Sequence, residues 1–390
     1  SLDGRVKSVR GAVALAIEAL NRKIKRVVCP IENLKESFLV KELSVCGVDT
    51  LTSCINEKFT VDIYDSNPEK SFASKTIFDV FGQKIAKRAL IIAAAGGHNI
   101  LMKGPPGCGK SMLAERFPTL LPKLSRTELL ETLKIHSLSR EPLEKILNGA
   151  RPFRSPHHTV TDVGLTGGGN PLRPGEITLA HNGVLFLDEL PEFRRSAIEA
   201  LRSPLERQSV SITRAKARET FPSSFQLLAA MNTCPCGKSK KDCRCAPYQR
   251  EAYINKISQP ILDRIDIHVS LDPVNVEDII NMKLTSENKE KENIIATSKI
   301  FSARRIQLQR SRKLNSKIQN SDFLLEKYLT PGSKSLLRKA VNSFSISARS
   351  YYKILKVSRT IADMEESAEI QEAHLAEAVS LRFSEQENLE

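Results

Sequence analysis

The sequence lacks any long apolar run, and no stretch approaches the roughly 18 uncharged apolar residues of a membrane-spanning helix. Its opening stretch, SLDGRVKSVRG, has no apolar signal core, so secretion is unsupported. Tryptophan is absent, and no internal repeat has a solenoid period. The lack of an apolar span and of a signal core predicts a cytoplasmic protein without a membrane anchor. Disulfides are then not expected, and clustered cysteines indicate metal ligands or free thiols.

Acidic residues are too few to balance the basic ones. Lys and Arg number 59 against 45 Asp and Glu, which gives a formal net charge of +14 and a pI near 9.4. Such an excess favours a polyanionic partner, most often nucleic acid. Scattered surface lysines on an ordinary basic protein are the alternative. No recognition-helix or zinc-finger pattern predicts base reading, so any DNA binding is expected to be non-sequence-specific.

The pattern of the chain changes three times along its 390 residues. Residues 1–60 alternate helix and strand patterns, which predicts a small α/β fragment, and the polar residues 61–76 are typical of a linker. In residues 77–272, apolar strands alternate with amphipathic helices, which predicts a parallel sheet covered by helices on both faces. Residues 273–390 are charged and helical in pattern, which predicts a C-terminal helical domain.

The segment NILMKGPPGCGKSMLAERF contains a phosphate-loop pattern, G-x-x-x-x-G-K-[ST], between an apolar strand and an amphipathic helix. Its glycines let backbone N–H groups surround phosphates at a helix start. Lys110 is predicted to reach the β and γ phosphates of ATP, and the Ser111 hydroxyl to bind Mg²⁺. An idle glycine loop is the alternative. The predicted nucleotide contacts are Gly104, Pro105, Pro106, Gly107, Cys108, Gly109, Lys110, Ser111, Met112 and Asp188.

Two further apolar strands end in polar residues. GVLFLDELPEF ends in Asp188 and Glu189, and SFQLLAAMNTC ends at Asn232. Asp188 is predicted to hold Mg²⁺ with Ser111, and Glu189 to polarise the attacking water. Asn232 is predicted to orient that water or to sense the γ-phosphate. Acidic pairs are common at strand ends, but α/β sheets bind their ligands at the carboxyl ends of the strands, where this pair lies.

Longer segments carry a resemblance to a known family. They are FDVFGQKIAKRALIIAAAGGHNILMKGPPGCGKSML, RPFRSPHHTVTDVGLTGGGNPLRPGEITLAHNGVLFLDELPEF, AAMNTCPCG, LDRIDIHV and SARSYYKILKVSRTIADME. They resemble the AAA+ P-loop ATPases, and within them the magnesium-chelatase-like group of the YifB/ComM type. The resemblance implies an ATP-driven homo-hexamer and, for ComM-like members, DNA helicase and branch-migration activity in natural transformation. A chelatase-like or remodelling ATPase acting on a protein partner is the alternative.

The resemblance also implies roles for individual residues. Lys110 and Ser111 correspond to the phosphate-loop pair, and Asn232 corresponds to the first sensor. The catalytic set implied is Glu189, Asn232, Arg264 and Arg349. Arg264, in ILDRIDIHV, resembles the arginine finger that a subunit offers to its neighbour's ATP, and a surface ion pair is the other interpretation. Arg349 resembles the second sensor, with Arg359 as its competitor.

The N-terminal segment SLDGRVKSVRGAVALAIEALNRKIKRVVCPIEN resembles the end of a Lon-type protease domain. In the proteases a lysine follows the paired-glycine turn, whereas the corresponding position here is Val13. The segment that would carry the serine nucleophile is not in this chain, so we expect the chain to start inside such a domain. Both departures argue against peptide-bond cleavage.

Four cysteines crowd the segment MNTCPCGKSKKDCRCAP in two C-x-C pairs. They are Cys234, Cys236, Cys243 and Cys245. Four thiolates suit tetrahedral Zn²⁺, and a site with four protein ligands is structural rather than catalytic. The spacing is tighter than in the usual C-x-x-C knuckle, and free thiols in a loop are the alternative. His157 and His158 are not predicted to be ligands.

Two insertions are candidate DNA contacts. DVGLTGGGNPLRPGEI is glycine-rich and carries Arg173, and SVSITRAKARETFPSSF predicts a hairpin with a basic tip. Arg214, Lys216 and Arg218 at that tip are predicted to contact phosphates, a salt-sensitive and sequence-independent interaction. A solvated charged hairpin is the alternative.

Overall fold

The structure is a computed structural model, and it describes most of the chain. The described residues are 3–38, 40, 42–60, 75–139, 143–169, 172–214, 217–238, 243–273, 286–319, 325–344 and 346–383. Some predicted features lie outside them, namely residues 61–74 of the linker, residues 239–242 between the cysteine pairs, and Lys216. Among the helices of the described ranges, none combines the length and the apolar character that a transmembrane span requires.

The secondary structure follows the predicted alternation of strands and helices. In chain order the strands are β1 (Arg26–Pro30), β2 (Ser44–Val48), β3 (Ile100–Lys103), β4 (Phe153–Arg154), β5 (Gly167–Gly168), β6 (Arg173–Pro174), β7 (Val184–Leu187), β8 (Ser209–Arg214), β9 (Ala217–Pro222), β10 (Gln226–Met231) and β11 (Ile267–Ser270). The helices are α1 (Ala12–Asn21), α2 (Leu34–Ser37), α3 (Leu51–Ile55), α4 (Lys84–Gly96), α5 (Lys110–Arg116), α6 (Arg126–His136), α7 (Glu144–Leu147), α8 (Asp162–Thr166), α9 (Glu176–Leu179), α10 (Arg195–Ala200), α11 (Arg202–Arg207), α12 (Pro247–Ile254), α13 (Gln259–Leu262), α14 (Ser286–Ser311), α15 (Pro331–Phe344), α16 (Ala348–Met364) and α17 (Glu372–Phe383).

Five strands form a central sheet in the order β11-β3-β10-β7-β4, and every neighbouring pair is parallel. The strand β10 therefore lies between β3, which leads into the glycine loop, and β7, which leads into the acidic pair. Its residues Met231 and Ala229 lie opposite Lys103 and Leu187 in the two ladders. The carboxyl ends of these three strands consequently meet at one edge of the sheet.

Apolar side chains cover both faces of this sheet. Ile100 and Met102 belong to a buried cluster that includes residues of α4 and α16, whereas Leu101 belongs to a second cluster with residues of α10 and α13. All residues of β7 and β10 are buried, as expected for parallel strands that are covered on both sides. The predicted parallel α/β sheet with helices on both faces is confirmed.

The glycine-rich insertion and the basic insertion each form an antiparallel pair of strands outside the central sheet. β5 pairs with β6, and β8 pairs with β9 over six residue pairs that end at Arg214 and Ala217. The predicted hairpin is therefore confirmed. The two insertions touch, because a Cβ atom placed on Gly167 would lie 2.9 Å from Cδ1 of Ile212.

The described residues after β11 are mainly helical, with one isolated β-bridge between Leu329 and Ile370, and a buried polar network fixes them internally. Asp363 of α16 is fully buried and accepts hydrogen bonds from Arg310 at 2.7 and 2.8 Å, from Arg359 at 3.0 Å and from Asn315 at 2.9 Å. Two guanidinium groups thus share one carboxylate. Buried charges of this kind are tolerated only when each has partners.

The same network continues into the sheet domain. His98, which precedes β3, contacts Thr360 of α16 through Nε2 at 2.8 Å and Asp266 through Nδ1 at 3.4 Å. Asp266 also pairs with Lys353 of α16. Burial alone would raise the pKa of Asp266, but the charge of Lys353 and the hydrogen bond from His98 hold it well below its usual range. Charged contacts therefore join the helical domain to the sheet.

The N-terminal residues form a small α/β unit in which β1 pairs in parallel with β2. Its helix α1 packs on α6, where Val13 is fully buried beside Leu124, Leu133 and Ile146. The position that corresponds to the protease lysine is thus sealed in an apolar cluster. The domain boundaries at residues 60, 76 and 272 stay predictions.

Candidate nucleotide site and thiol cluster

The loop between β3 and α5 has the backbone shape of a phosphate-binding loop. Gly107 and Gly109 adopt φ angles of +77° and +95°, a region that glycine enters without steric cost. Helix α5 begins directly afterwards at Lys110. Successive N–H groups in such a turn form a concave surface that attracts anions. Residues 104–111, the phosphate loop below, therefore offer the backbone donors that a nucleotide phosphate needs.

The side chain of Lys110 joins the phosphate loop to the end of β10. Its Nζ atom donates to the carbonyl oxygens of Gly104 and Pro105, both at 2.8 Å, and to Oδ1 of Asn232 at 3.2 Å. Only 7% of Lys110 is exposed. A buried ammonium held between a loop and an amide is well placed to exchange one of these acceptors for a phosphate oxygen. The structure thus brings Lys110 and Asn232 together.

The remaining predicted members of the loop differ in exposure. Pro106 and Met112 are exposed, and Pro105 is half-buried. Cys108 is buried, its Sγ atom lies 3.7 Å from Nζ of Lys110, and burial raises the pKa of its thiol. A buried thiol with a raised pKa is a poor nucleophile.

Asp188 and Glu189 extend from the end of β7 beside the phosphate loop. Oδ2 of Asp188 accepts a hydrogen bond from the Ser111 hydroxyl at 2.6 Å, and its Oδ1 accepts from the backbone of Glu189 at 2.9 Å. Hydroxyl and carboxylate oxygens are ligands that Mg²⁺ prefers, so this pair fits the ion. Glu189 has φ of +51° and a side chain that is 52% exposed, so its carboxylate is accessible to water.

His158 is a neighbour of Glu189 that the sequence interpretation missed. Its Nδ1 atom lies 3.5 Å from Oε2 of Glu189, and its ring packs edge-on against Phe193. No local sequence signal reveals this contact, because it depends on the strand order: His158 follows β4, and β4 lies next to β7 in the sheet. A histidine leaving β4 is thereby brought to the end of β7.

Comparison with known proteins agrees with this geometry. Residues 76–279 match the family described as magnesium chelatase, subunit ChlI, and residues 292–382 match the one described as magnesium chelatase, subunit ChlI C-terminal. The chain belongs to the magnesium chelatase family of AAA+ ATPases. The resemblance and the P-loop fold predicted from the sequence are therefore confirmed. Membership supports ATP hydrolysis with Mg²⁺ as cofactor.

Relatives of this magnesium chelatase family member carry different names. It is 38% identical to competence protein ComM of Haemophilus influenzae, over 98% of this chain and 76% of that protein. It is 37% identical to the uncharacterized protein YifB of Escherichia coli over the same shares. It is also 21% identical to the maternal DNA replication licensing factor mcm6 of Xenopus tropicalis, over 96% of this chain and 45% of that protein.

Arg264 is enclosed within its own chain in this family member. Its guanidinium pairs with Glu206 of α11 and donates to the carbonyl oxygen of Pro260. Only 7% of the residue is exposed, and its Nε atom has no partner among the described residues. The sequence interpretation missed Glu206, which lies 58 positions away. An arginine held in this way must leave Glu206 before it can reach a neighbouring subunit.

The two candidates for the second sensor lie in very different surroundings. Arg349 is exposed in the first turn of α16. Arg359 is only 2% exposed, and its guanidinium bonds to Asp363 and to the carbonyl oxygens of Ser367 and Ala368. Arg359 is thus fully occupied inside the helical domain, whereas the side chain of Arg349 is exposed, and the second-sensor role of either stays a prediction.

The four cysteines of the CPC and CRC pairs converge on one point. The Sγ atoms of Cys234 and Cys236 are 3.0 Å apart, those of Cys236 and Cys243 3.6 Å, and those of Cys243 and Cys234 3.4 Å. The Sγ atom of Cys245 completes a set in which all lie within 4.8 Å of one another. We call these four residues the thiol cluster.

The donor set of the thiol cluster fits a tetrahedral metal ion. Zn–S bonds of about 2.3 Å place the sulfur atoms of a tetrahedral site about 3.8 Å apart, close to the separations found here. The hydrogen bond from Cys234 lowers the pKa of Cys236 to about 6, whereas burial raises the pKa of Cys234 to about 12. No carboxylate or imidazole joins the four sulfur atoms within the described residues.

The predicted DNA contacts lie on the two insertions. Arg173 is exposed in β6. The backbone of Arg214 and Arg218 lies in the hairpin, opposite Ala217 and Thr213 respectively. The side chains of these two arginines and all of Lys216 lie outside the described residues. The roles predicted for these residues stay predictions.

Proposed function

We propose that this chain is an ATP-driven homo-hexameric motor that binds DNA without sequence preference and moves branched DNA. The observation that carries the ATPase part is the pair of bonds from Lys110 to Asn232 and from Ser111 to Asp188, which join three strand ends in one cleft. The DNA part is supported by the net charge of +14 and by relatives named for competence and DNA replication.

In the proposed reaction the phosphate loop and Lys110 hold the β and γ phosphates, and Ser111 and Asp188 hold Mg²⁺. Glu189 orients the attacking water, and Asn232 fixes the γ-phosphate end of the cleft. Positioning and charge stabilisation supply most of the catalysis in phosphoryl transfer. The half-exposed Glu189 carboxylate is suited to contact water because its neighbours leave one side open.

A neighbouring subunit completes the proposed site. Arg264 would offset the charge that develops on the γ-phosphoryl group of its neighbour's ATP, and Arg349 would contact the nucleotide from the helical domain. Arg264 is paired with Glu206 within its own chain, so ring assembly has to replace that carboxylate by the neighbour's phosphate. Such an exchange links hydrolysis to assembly.

The proposed DNA surface is made of the two insertions. Arg173, Arg214, Lys216 and Arg218 would contact backbone phosphates, so affinity should fall steeply as salt rises. A remodelling ATPase that acts on a protein partner is the second candidate, and it is supported by the match to a magnesium chelatase subunit. The two candidates share one ATPase core and differ in what they move.

A branched-DNA assay separates these candidates. The purified chain is incubated with a labelled three-way junction, with ATP or with a non-hydrolysable analogue, at low and high salt. We expect the junction strands to separate with ATP only, and we expect no separation by a Glu189→Gln variant under the same conditions. Robust ATP turnover without DNA binding or junction movement would contradict the DNA motor and favour the protein-remodelling candidate.

We also propose that the thiol cluster holds a structural Zn²⁺. Four protein ligands leave no open coordination position, so the metal would stiffen the loop after β10 and take no part in chemistry. Free thiols packed at 3.0 to 3.6 Å are the alternative.

Elemental analysis tests this metal directly. Protein purified without chelators is expected to carry about one zinc per chain, and Cys236→Ser protein to carry much less. The matched control is Cys54→Ser, because Cys54 lies outside the thiol cluster and its loss should leave the zinc in place. Zinc-free wild-type protein, or equal zinc in Cys236→Ser, contradicts the metal site.

A further inference from the structure

The thiol cluster is attached to the nucleotide cleft at its first ligand. Cys234 follows Asn232 by two positions, and Oδ1 of Asn232 accepts from Nζ of Lys110 at 3.2 Å. Cys234 itself is only 2% exposed. A displacement of its sulfur atom is therefore transmitted through a single intervening residue to the acceptor of the phosphate-loop lysine.

A second contact runs from the thiol cluster to the outer side of the phosphate loop. Gly237 lies between the ligands Cys236 and Cys243, and its N–H donates to the carbonyl oxygen of Cys234 at 3.2 Å. A Cβ atom placed on Gly237 would lie 3.3 Å from Cγ of Pro106. The turn that holds the first two thiols thus lies within one methyl group's reach of the phosphate loop.

After the last ligand, Cys245, the chain returns to the end of β10 near Asn232. Helix α12 begins two residues after Cys245, and its Tyr253 is 4% exposed in the same apolar cluster as Met231, the residue before Asn232. The chain thus leaves β10 at Asn232, passes through the thiol cluster and returns through α12 to the end of β10. A metal that joins Cys234 to Cys245 shortens this path and limits the positions available to Asn232.

We propose that metal binding at the thiol cluster and nucleotide binding at the phosphate loop are thermodynamically coupled, so that each raises the affinity for the other. This inference rests on the proposed nucleotide and zinc sites. A bound phosphate takes hydrogen bonds that Lys110 now gives to Gly104, Pro105 and Asn232. The phosphate loop and Asn232 then form new hydrogen bonds, and both lie next to the loop that carries the thiol cluster.

The direction of the coupling follows from ordering. A metal fixes the loop that supports Pro106 and Asn232, so less freedom remains to be lost when a nucleotide binds. Coupling of binding free energies is reciprocal, and it typically changes affinities by about 5- to 150-fold. The nucleotide must therefore tighten the metal by the same factor by which the metal tightens the nucleotide.

A competition titration measures both halves of this cycle. The zinc dissociation constant of the whole chain is measured against a chromophoric chelator, with and without saturating Mg·ADP, and the ADP constant is measured before and after zinc removal. We expect both constants to fall about fivefold or more when the other ligand is bound. Lys110→Ala protein, which is not expected to bind ADP, should show no ADP effect on zinc.

Two substitutions in the same turn test the route of the coupling. Gly237→Ala brings a methyl group against Pro106 and has to be accommodated at φ of +69°, so it should lower the coupling factor while zinc still binds. Lys238→Ala is the matched control, because its side chain is exposed and its backbone N–H, which bonds to Cys236, is kept.

Each failure has a distinct appearance. Zinc and ADP that both bind, with constants that differ less than twofold in each other's presence, overturn the coupling alone. Absence of bound zinc overturns it together with the metal site, and absence of ADP binding overturns it together with the proposed nucleotide site.

Discussion

Replacing Lys110 by alanine is expected to lower ATP turnover about a hundredfold or more, the usual scale for losing one charge-stabilising group at a reacting centre. The Nζ atom of Lys110 is the one ammonium among the described residues that bonds both to the phosphate loop and to Asn232. Its removal takes the positive charge out of the cleft and disconnects the loop from β10. Steady-state phosphate release and a fluorescent-nucleotide titration measure the two losses.

The control for this substitution is Lys123→Ala, which removes an exposed lysine from the same domain. It should leave turnover and nucleotide affinity unchanged, and circular dichroism should show that both variants are folded. If Lys110→Ala hydrolyses ATP within about threefold of the unaltered protein, the phosphates are held elsewhere and the assignment of the phosphate loop is wrong.

Replacing Glu189 by glutamine is expected to keep nucleotide binding and to remove hydrolysis. A positioned general base contributes about 10²- to 10⁴-fold, and an amide cannot accept the proton of water. The bonds that Asp188 accepts from the Ser111 hydroxyl and from the Glu189 backbone do not use the Glu189 side chain, so affinity for Mg·ATP should change less than about twofold. Single-turnover hydrolysis and equilibrium binding separate the two quantities.

Glu192→Gln is the matched control, since Glu192 is a partly exposed carboxylate three positions along that pairs with Lys256. It should hydrolyse ATP normally. Full turnover by the Glu189→Gln protein would remove this glutamate from the mechanism and direct attention to another base in the cleft.

The parts of the site that the sequence predicts are those encoded by neighbouring residues. The phosphate loop and the acidic pair each occupy one strand and the turn after it, so their spacing is read directly from the chain. The thiol cluster is also local, because its four ligands fall within twelve positions. Strand order then brings Lys110, Asp188 and Asn232 together, because β10 lies between the other two strands.

The contacts that the sequence does not predict join residues far apart in the chain. Glu206 covers Arg264 across 58 positions, and no spacing rule connects α11 with the turn before β11. His158 meets Glu189 only because β4 and β7 are neighbours. The closeness of Gly237 to Pro106 depends on how the phosphate loop and the loop after β10 pack at the same edge of the sheet. Each requires the sheet topology, which local patterns do not specify.

The contacts that join the helical domain to the sheet, from Lys353 to Asp266 and from Thr360 to His98, have a mechanical consequence. Hinging between the helical domain and the sheet of one chain would separate Lys353 from the buried carboxylate of Asp266, and a buried charge without its partner is strongly destabilising. The helical domain and the sheet should therefore turn as one stiff body during the ATP cycle. If the chain forms the proposed ring, the power stroke is then expected at the interfaces between protomers.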